Sequence, residues 1–253
     1  MNDLQLLDED EPSPVEVVGA ARGGQFVVLC DHAGRALPRA LGDLGLSAAE
    51  LESHIAWDIG AAAVARLLAA ELDSPLVLQR YSRLVIDCNR PLTAPDSIPV
   101  QSGGIAIPGN ERLTPAQVDA RTRAVFGPYH ARISDLLAHR SSYALVTVHS
   151  FTPELHGERR PFHAGVLYER DTRLAAPLLS LLRREPGLLV GDNEPYRASA
   201  ASDYAIIEHG ERRGAPYVEL EVRQDLVADD AGQEEWAKRY ARLLRMASAT
   251  FRF

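Results

Sequence analysis

Apolar runs of strand length alternate along this chain with segments of helical period. Gln25–Asp31, Pro75–Gln79, Leu84–Cys88, Tyr143–Val148, His163–Tyr168, Leu188–Gly191 and Pro216–Val222 read as strands, most of them nearly continuous in apolar residues. Such runs belong to a sheet covered on both faces. Ser47 with Glu50 three residues on is a capping box. It opens a helix expected to reach about Leu72, with a stripe of Leu51, Ile55, Ile59, Ala62, Ala63 and Leu67. Thr114-Pro115 opens a second helix, to about His139. Leu174–Arg184, Ser202–Arg213 and Gln233–Ala249 complete the helical set. The alternation predicts an α/β fold with a mainly parallel or mixed central sheet and helices on both faces. Residues 1–22, rich in Asp, Glu, Pro and Gly, read as a flexible lead-in, and 23–253 as one domain. Residues 91–110 lack any period, and a loop of that length in a compact domain is usually functional.

Composition narrows the function. The apolar share of 46% and charged share of 25% are those of a globular protein with a sizeable core. The net charge of -8, without a basic stripe, argues against nucleic acid as a partner. No apolar run approaches spanning length, which argues against a membrane partner. The acidic start lacks a secretory pattern, so a cytoplasmic location is expected. Cys30 and Cys88 lie in apolar segments with no Cys-x-x-Cys spacing, which reads as buried thiols rather than a thiolate metal site.

Two strands end on a histidine. His32 precedes Ala33-Gly34, where small residues leave room for a close approach, and His149 precedes Ser150. Ligands of an open α/β sheet gather outside the carboxyl ends of its strands. Two imidazoles delivered there are a candidate metal pair, and a catalytic zinc takes three protein ligands and leaves one place for water. For the third donor, Asp58 stands beside the apolar stripe of the first helix, four residues after His54 and on the same helical face. It is read as a ligand or an orienter of one, or else as a surface pair with His54. Asp31 is disfavoured as a ligand because neighbouring strand residues point to opposite faces. Arg83, Asp87, Asn89 and Arg90 surround the third predicted strand. They suit carboxylate recognition, or a structural ion pair with Asp87. On the strand Val218–Arg223, Glu219, Glu221 and Arg223 share one face and Val218, Leu220 and Val222 the other. Glu221 is the candidate to carry a proton from water to a leaving nitrogen. His156 and His163 flank the Arg159-Arg160 loop and, with the turn Asn193–Tyr196, are weaker pocket candidates. His130, His139 and His209 read as structural. A serine hydrolase is disfavoured, because no Gly-x-Ser-x-Gly elbow occurs.

These strings together resemble the N-formylglutamate amidohydrolase family. They are Cys30-Asp31-His32-Ala33-Gly34 with Pro38, His54–Gly60, Ser82–Pro91, His149-Ser150-Phe151-Thr152-Pro153 and Glu219–Arg223, spread over about residues 25 to 226. The resemblance implies a zinc-carboxypeptidase-like fold and a one-zinc amidohydrolase. Its small anionic substrate would be N-formyl-L-glutamate, cut to formate and L-glutamate. It implies His32 and His149 as zinc ligands, Asn89 and Arg90 as the carboxylate grip, aided by Arg83 or Arg160, and Glu221 as the base. His54, Asp87 and Arg223 would support these from behind. The carboxypeptidase pattern has a glutamate ligand three residues after its first histidine, where this chain has Arg35. Asp58 is therefore nominated as third ligand. Two rivals are another metal-dependent deacylase or carboxypeptidase, and a non-catalytic binder of an acidic metabolite. Oligomeric state is not legible.

Overall fold

The computed structural model describes residues 4–155 and 157–251, so His156 lies outside the described residues. Strands β1 (Val15–Val18), β2 (Phe26–Cys30), β3 (Leu76–Gln79), β6 (Ala144–Phe151), β9 (Ala164–Leu167), β10 (Val190–Asp192) and β11 (Tyr217–Arg223) form one sheet in the order β1-β3-β2-β6-β11-β9-β10. Two-residue ribbons make up the remaining strands: β4 (Gln101–Ser102) with β5 (Ile105–Ala106), and β7 (Glu154–Leu155) with β8 (Glu158–Arg159). The centre of the sheet, β3-β2-β6-β11, is parallel, while β1 and β9 pair antiparallel to their inner neighbours. The sheet is thus mixed, as expected. The lead-in segment is not wholly outside the fold, because Val15–Val18 closes an edge of the sheet against β3.

Helices α1 (Ala48–Leu51), α2 (Ala61–Glu71), α3 (Pro115–Arg121), α4 (Gly127–Ala138), α5 (Ala175–Leu182), α6 (Ala205–His209) and α7 (Asp230–Ser248) cover both faces. On one face Val28, Leu76, Val146, Val148, Leu220 and Val222 meet α2, α5 and α7. Helix α7 presents Trp236, Tyr240, Leu243, Leu244 and Ala247 to that layer at helical spacing. On the other face Val27, Leu29, Val77, Leu145 and Tyr217 meet α4 and α6. Burying each such side chain stabilises the fold by roughly 1.5–3 kcal/mol. This double cover is why the strand sequences are apolar on both sides.

Three expected elements differ. The helix from Ser47 to Leu72 breaks in two. The Ser47–Glu50 capping box forms, yet α1 lasts one turn and the chain unwinds until α2. The Asp58 N–H donates to the His32 carbonyl at 3.0 Å, and Gly60 restarts the helix from φ +81°. A side chain at Gly60 would also meet the Val227 carbonyl oxygen at 2.4 Å. Ile55 belongs to a small separate core with Leu44, Leu46, Leu84 and Ile107, which satisfies the apolar stripe without a helix. Leu84–Cys88 is a buried turn rather than a strand. Its amides bond locally, Val85 to Ser82 O, or to the loop, Asp87 to Ser97 O. The helix expected over Ser202–Arg213 is one short helix, α6, and a 3-10 turn at Glu211–Arg213.

Candidate metal centre

His32 follows the carboxyl end of β2, and His149 sits near that of β6, two strands hydrogen bonded in parallel. Their rings meet edge to face, with the Nδ1 atoms 3.2 Å apart. Asp58, on the unwound segment before α2, places Oδ2 at 3.0 Å from His149 Nδ1 and 3.4 Å from His32 Nδ1. The Ser150 amide donates to the same oxygen at 3.2 Å. All three side chains are buried, and together they form a group able to hold a metal ion. Two donors about 2.0–2.1 Å from a tetrahedral ion stand about 3.3 Å from each other. The three measured separations match that spacing, so the donor set fits a small divalent ion. The His54–Asp58 pair expected on one helical face does not exist as such. Asp58 turns inward, while His54 stands on the cleft wall near Gly103, with no hydrogen bond to Asp58 among the described residues.

Charge is arranged in layers around this point. Burial works against ionisation of Asp58, but the His32 and His149 rings outweigh it and hold the carboxyl well below its usual pKa. Burial likewise disfavours charge on His149, yet Glu219, Asp31 and Asp58 raise its pKa well above that of free imidazole. Surroundings that favour positive charge between these rings favour a cation equally. Asp87 Oδ1 lies 2.7 Å from His32 Nε2. The other Asp87 oxygen accepts from Arg83 Nε at 3.0 Å and Nη2 at 2.6 Å, and Arg83 Nη1 lies 3.6 Å from Asp58 Oδ1. The ion pair with Asp87 is therefore formed, and it commits Arg83 to the two acids that flank the histidines.

The other expected residues divide by what already occupies them. Asn89 is largely engaged: its oxygen accepts from the Tyr204 and Ala205 amides at the start of α6, and its Nδ2 donates one hydrogen to Glu219 at 3.2 Å. Arg90 donates to Asp96 at 2.9 Å and to the Ser202 carbonyl, at the rim of the cleft. Arg160 is 8% exposed and has no carboxylate partner among the described residues. Its guanidinium lies 5.2 Å from the Phe151 ring centre and 4.6 Å from that of Tyr196, whose hydroxyl accepts from Nη1 at 2.8 Å. Arg223, expected behind the metal, instead holds the loop that carries Arg160. It donates to the Arg160 and Phe162 carbonyls at 3.3 and 3.1 Å and pairs with Asp225.

Glu221 pairs in register with His149 on the neighbouring strand and lines the same cleft. Burial, with Asp58 and Glu219 adding to it, pushes its carboxyl well above the ordinary range, and its Oε2 has no hydrogen-bond partner among the described residues. Glu219 lies deeper, bonded to Asn89, and burial pushes it up to about 7. The cleft over these groups measures about 390 Å³. Its wall includes Tyr196, Thr152, Gly103 and Asp203 besides the residues above. Of these the sequence pointed to Tyr196 through its turn, to Gly103 through the loop 91–110 and to Thr152 through the string after His149, but not to Asp203. His163 is used in the fold, where its Nδ1 accepts from the Leu189 amide. Gly34 is small for a reason other than ligand access: a side chain there would strike the Arg80 carbonyl oxygen at 1.9 Å.

A buried pair of imidazoles and a carboxylate, set at the carboxyl edge of a mixed α/β sheet beneath an arginine-lined cleft, define a hydrolase-type site. Residues 24–228 match the N-formylglutamate amidohydrolase family, and the chain belongs to that family, whose members are amidohydrolases that cut an amide bond. Its structure resembles that of a gene product from Agrobacterium tumefaciens. The two share 39% identity and a TM-score of 0.94, over 97% of this chain and 99% of that one. It also resembles an N-formylglutamate amidohydrolase from Ralstonia eutropha in fold, at 19% identity and a TM-score of 0.63, over 94% and 98% of the two chains. A search of curated proteins finds no match. The mixed α/β architecture, a seven-stranded sheet with helices on both faces, is the one expected. No helix among the described residues is long and apolar enough to cross a membrane.

Proposed function

We propose that this protein hydrolyses N-formyl-L-glutamate to formate and L-glutamate, using one zinc ion held by His32, Asp58 and His149. The observation that carries the reading is the convergence of two Nδ1 atoms and one carboxylate oxygen within 3.4 Å of each other. Nitrogen and oxygen donors in threes are a catalytic zinc set. Family membership supplies the substrate class.

When bound, zinc supplies Lewis acidity, which polarises a carbonyl oxygen and makes water a stronger acid. The chain's own groups do the rest. Glu221 takes a proton from water as its oxygen adds to the formyl carbon. The carbon–nitrogen bond then breaks, and the amine nitrogen receives that proton from Glu221. A carboxyl with a raised pKa suits both halves of this exchange. Arg160, desolvated and without an acid of its own, binds a substrate carboxylate, with Arg90 at the rim as second cation. Arg83 and Asp87 orient the metal-holding side chains instead of binding substrate, and Asn89 braces Glu219.

Metal analysis of the purified protein, joined to a panel of formyl-, acetyl- and succinyl-amino acids, tests the reading. Zinc near one equivalent and preference for the formyl compound of glutamate are expected. Metal-independent turnover, or preference for another acyl group, would refute the corresponding half.

A further inference from the structure

One deeply buried charge belongs to a residue given no role so far. Asp31 is 1% exposed, and neither of its carboxylate oxygens has a hydrogen-bond partner among the described residues. An ionised carboxylate buried without donors is costly. Two other buried atoms nearby are equally unpaired: His149 Nε2 and the Tyr129 hydroxyl. His149 Nε2 lies 3.3 Å from Asp31 Oδ2. The competing acid, Glu219, is farther at 3.8 Å and is already served by Asn89 and Thr147. Burial, and then the Asp31 charge, raise the Tyr129 phenol well above its ordinary pKa, so its hydrogen stays available as a second donor.

We propose that Asp31 is a positioning residue for the metal centre: its carboxylate accepts the Nε2 hydrogen of His149, which leaves the Nδ1 lone pair turned toward Asp58 and His32. The inference rests on the metal reading of the site. It makes the two histidines equivalent, because Asp87 holds Nε2 of His32 at 2.7 Å in the same way. Each ring is fixed by an acid behind it and offers Nδ1 in front. Such outer acids set the tautomer and raise ligand basicity, and their loss typically lowers metal affinity about 10–100-fold.

Zinc affinity, read by competition with a chromophoric chelator, tests this in the wild type, Asp31→Asn, Asp31→Leu and His149→Ala. Circular dichroism confirms folding in each. Affinity should fall about 10–100-fold in Asp31→Leu. It should fall less in Asp31→Asn, whose amide oxygen still accepts from Nε2. The visible spectrum of the cobalt-loaded Asp31→Leu protein should change as His149 reorients. Unchanged affinity in Asp31→Leu, with binding lost in His149→Ala, overturns the inference alone. Equal, weak binding by wild type and His149→Ala overturns the metal reading and the inference with it. Should Asp31→Leu fail to fold, imidazole nitrogen-15 spectra of the zinc-loaded wild type decide: a His149 ring protonated at Nδ1 refutes the proposal, and one protonated at Nε2 supports it.

Discussion

His32 and His149 are 117 residues apart in sequence, yet their Nδ1 atoms stand 3.2 Å from each other. The contact follows from pairing: β2 and β6 are adjacent parallel strands, so residues near their carboxyl ends meet at one edge. Two imidazole nitrogens at that distance repel unless a proton or a metal ion lies between them.

The first prediction follows. His149→Ala and His32→Ala should each lose zinc and activity together. The loss of affinity should exceed the roughly 100-fold that removal of an outer partner costs. Atomic absorption on dialysed protein, paired with formate release, measures both. Activity that persists after the metal is gone would disconnect the pair from catalysis.

Glu221→Gln separates chemistry from binding. The amide is isosteric and cannot accept the water proton. Zinc content should therefore stay at the wild-type level while kcat falls by about 10²–10⁴. Near-normal turnover would transfer the role of base elsewhere, with Glu219 next in line on the same face of β11.

These residues show how far the sequence carries. The ends of β2 and β6 were legible because buried strands advertise themselves as apolar runs, and a histidine closing such a run has one edge to occupy. Glu221 was legible for the same reason, as a charge on a strand whose other face is core. For Asp58 the sequence predicts a helical setting that the structure does not have. Its apolar neighbours have helical spacing, but the His32 carbonyl and the His149 ring hold it in an unwound segment, and only tertiary contacts reveal that. The Arg83–Arg90 string hid a different fact. Which arginine is free for substrate depends on the acids already beside it: Asp87 claims Arg83, Asp96 takes only part of Arg90 at the rim, and Arg160 has no acid partner among the described residues. Asp31 was set aside by strand alternation, which turns it away from the Nδ1 side but brings it to the back of His149.

Arg160 should govern substrate affinity more than rate. It is buried between Phe151 and Tyr196, so a carboxylate bound there is desolvated and the charge-assisted bond is strong. Loss of such a bond costs about 1.5–3 kcal/mol, or roughly 10–150-fold. Arg160→Lys should raise KM by an amount in that range with a much smaller change in kcat, because lysine cannot reproduce the planar fork. Steady-state kinetics decide, and a variant with unchanged KM would move the carboxylate site to Arg90.

Acid stability should depend on a second histidine pair, behind the site. His130 Nδ1 and His209 Nε2 are 3.0 Å apart, and His130 Nε2 lies 2.9 Å from the Cys88 carbonyl. Burial pushes His130 down to about 4; burial, helped by His130 and Arg213, pushes His209 down to about 3. Both folded values lie below the unfolded value near 6.5, so between these limits the unfolded chain binds more protons and stability rises with pH. The stabilisation is complete above about pH 6.5 and is lost as pH falls toward 4 and then 3, on the order of a few kcal/mol for each ring. Replacing the titratable rings should therefore flatten the pH dependence. Urea midpoints of the wild type and of His130→Gln/His209→Gln, taken from pH 7 to 4.5 with the metal removed, measure it. The wild type should lose midpoint faster as pH falls, and parallel curves would show that these rings do not set the acid limit of the fold.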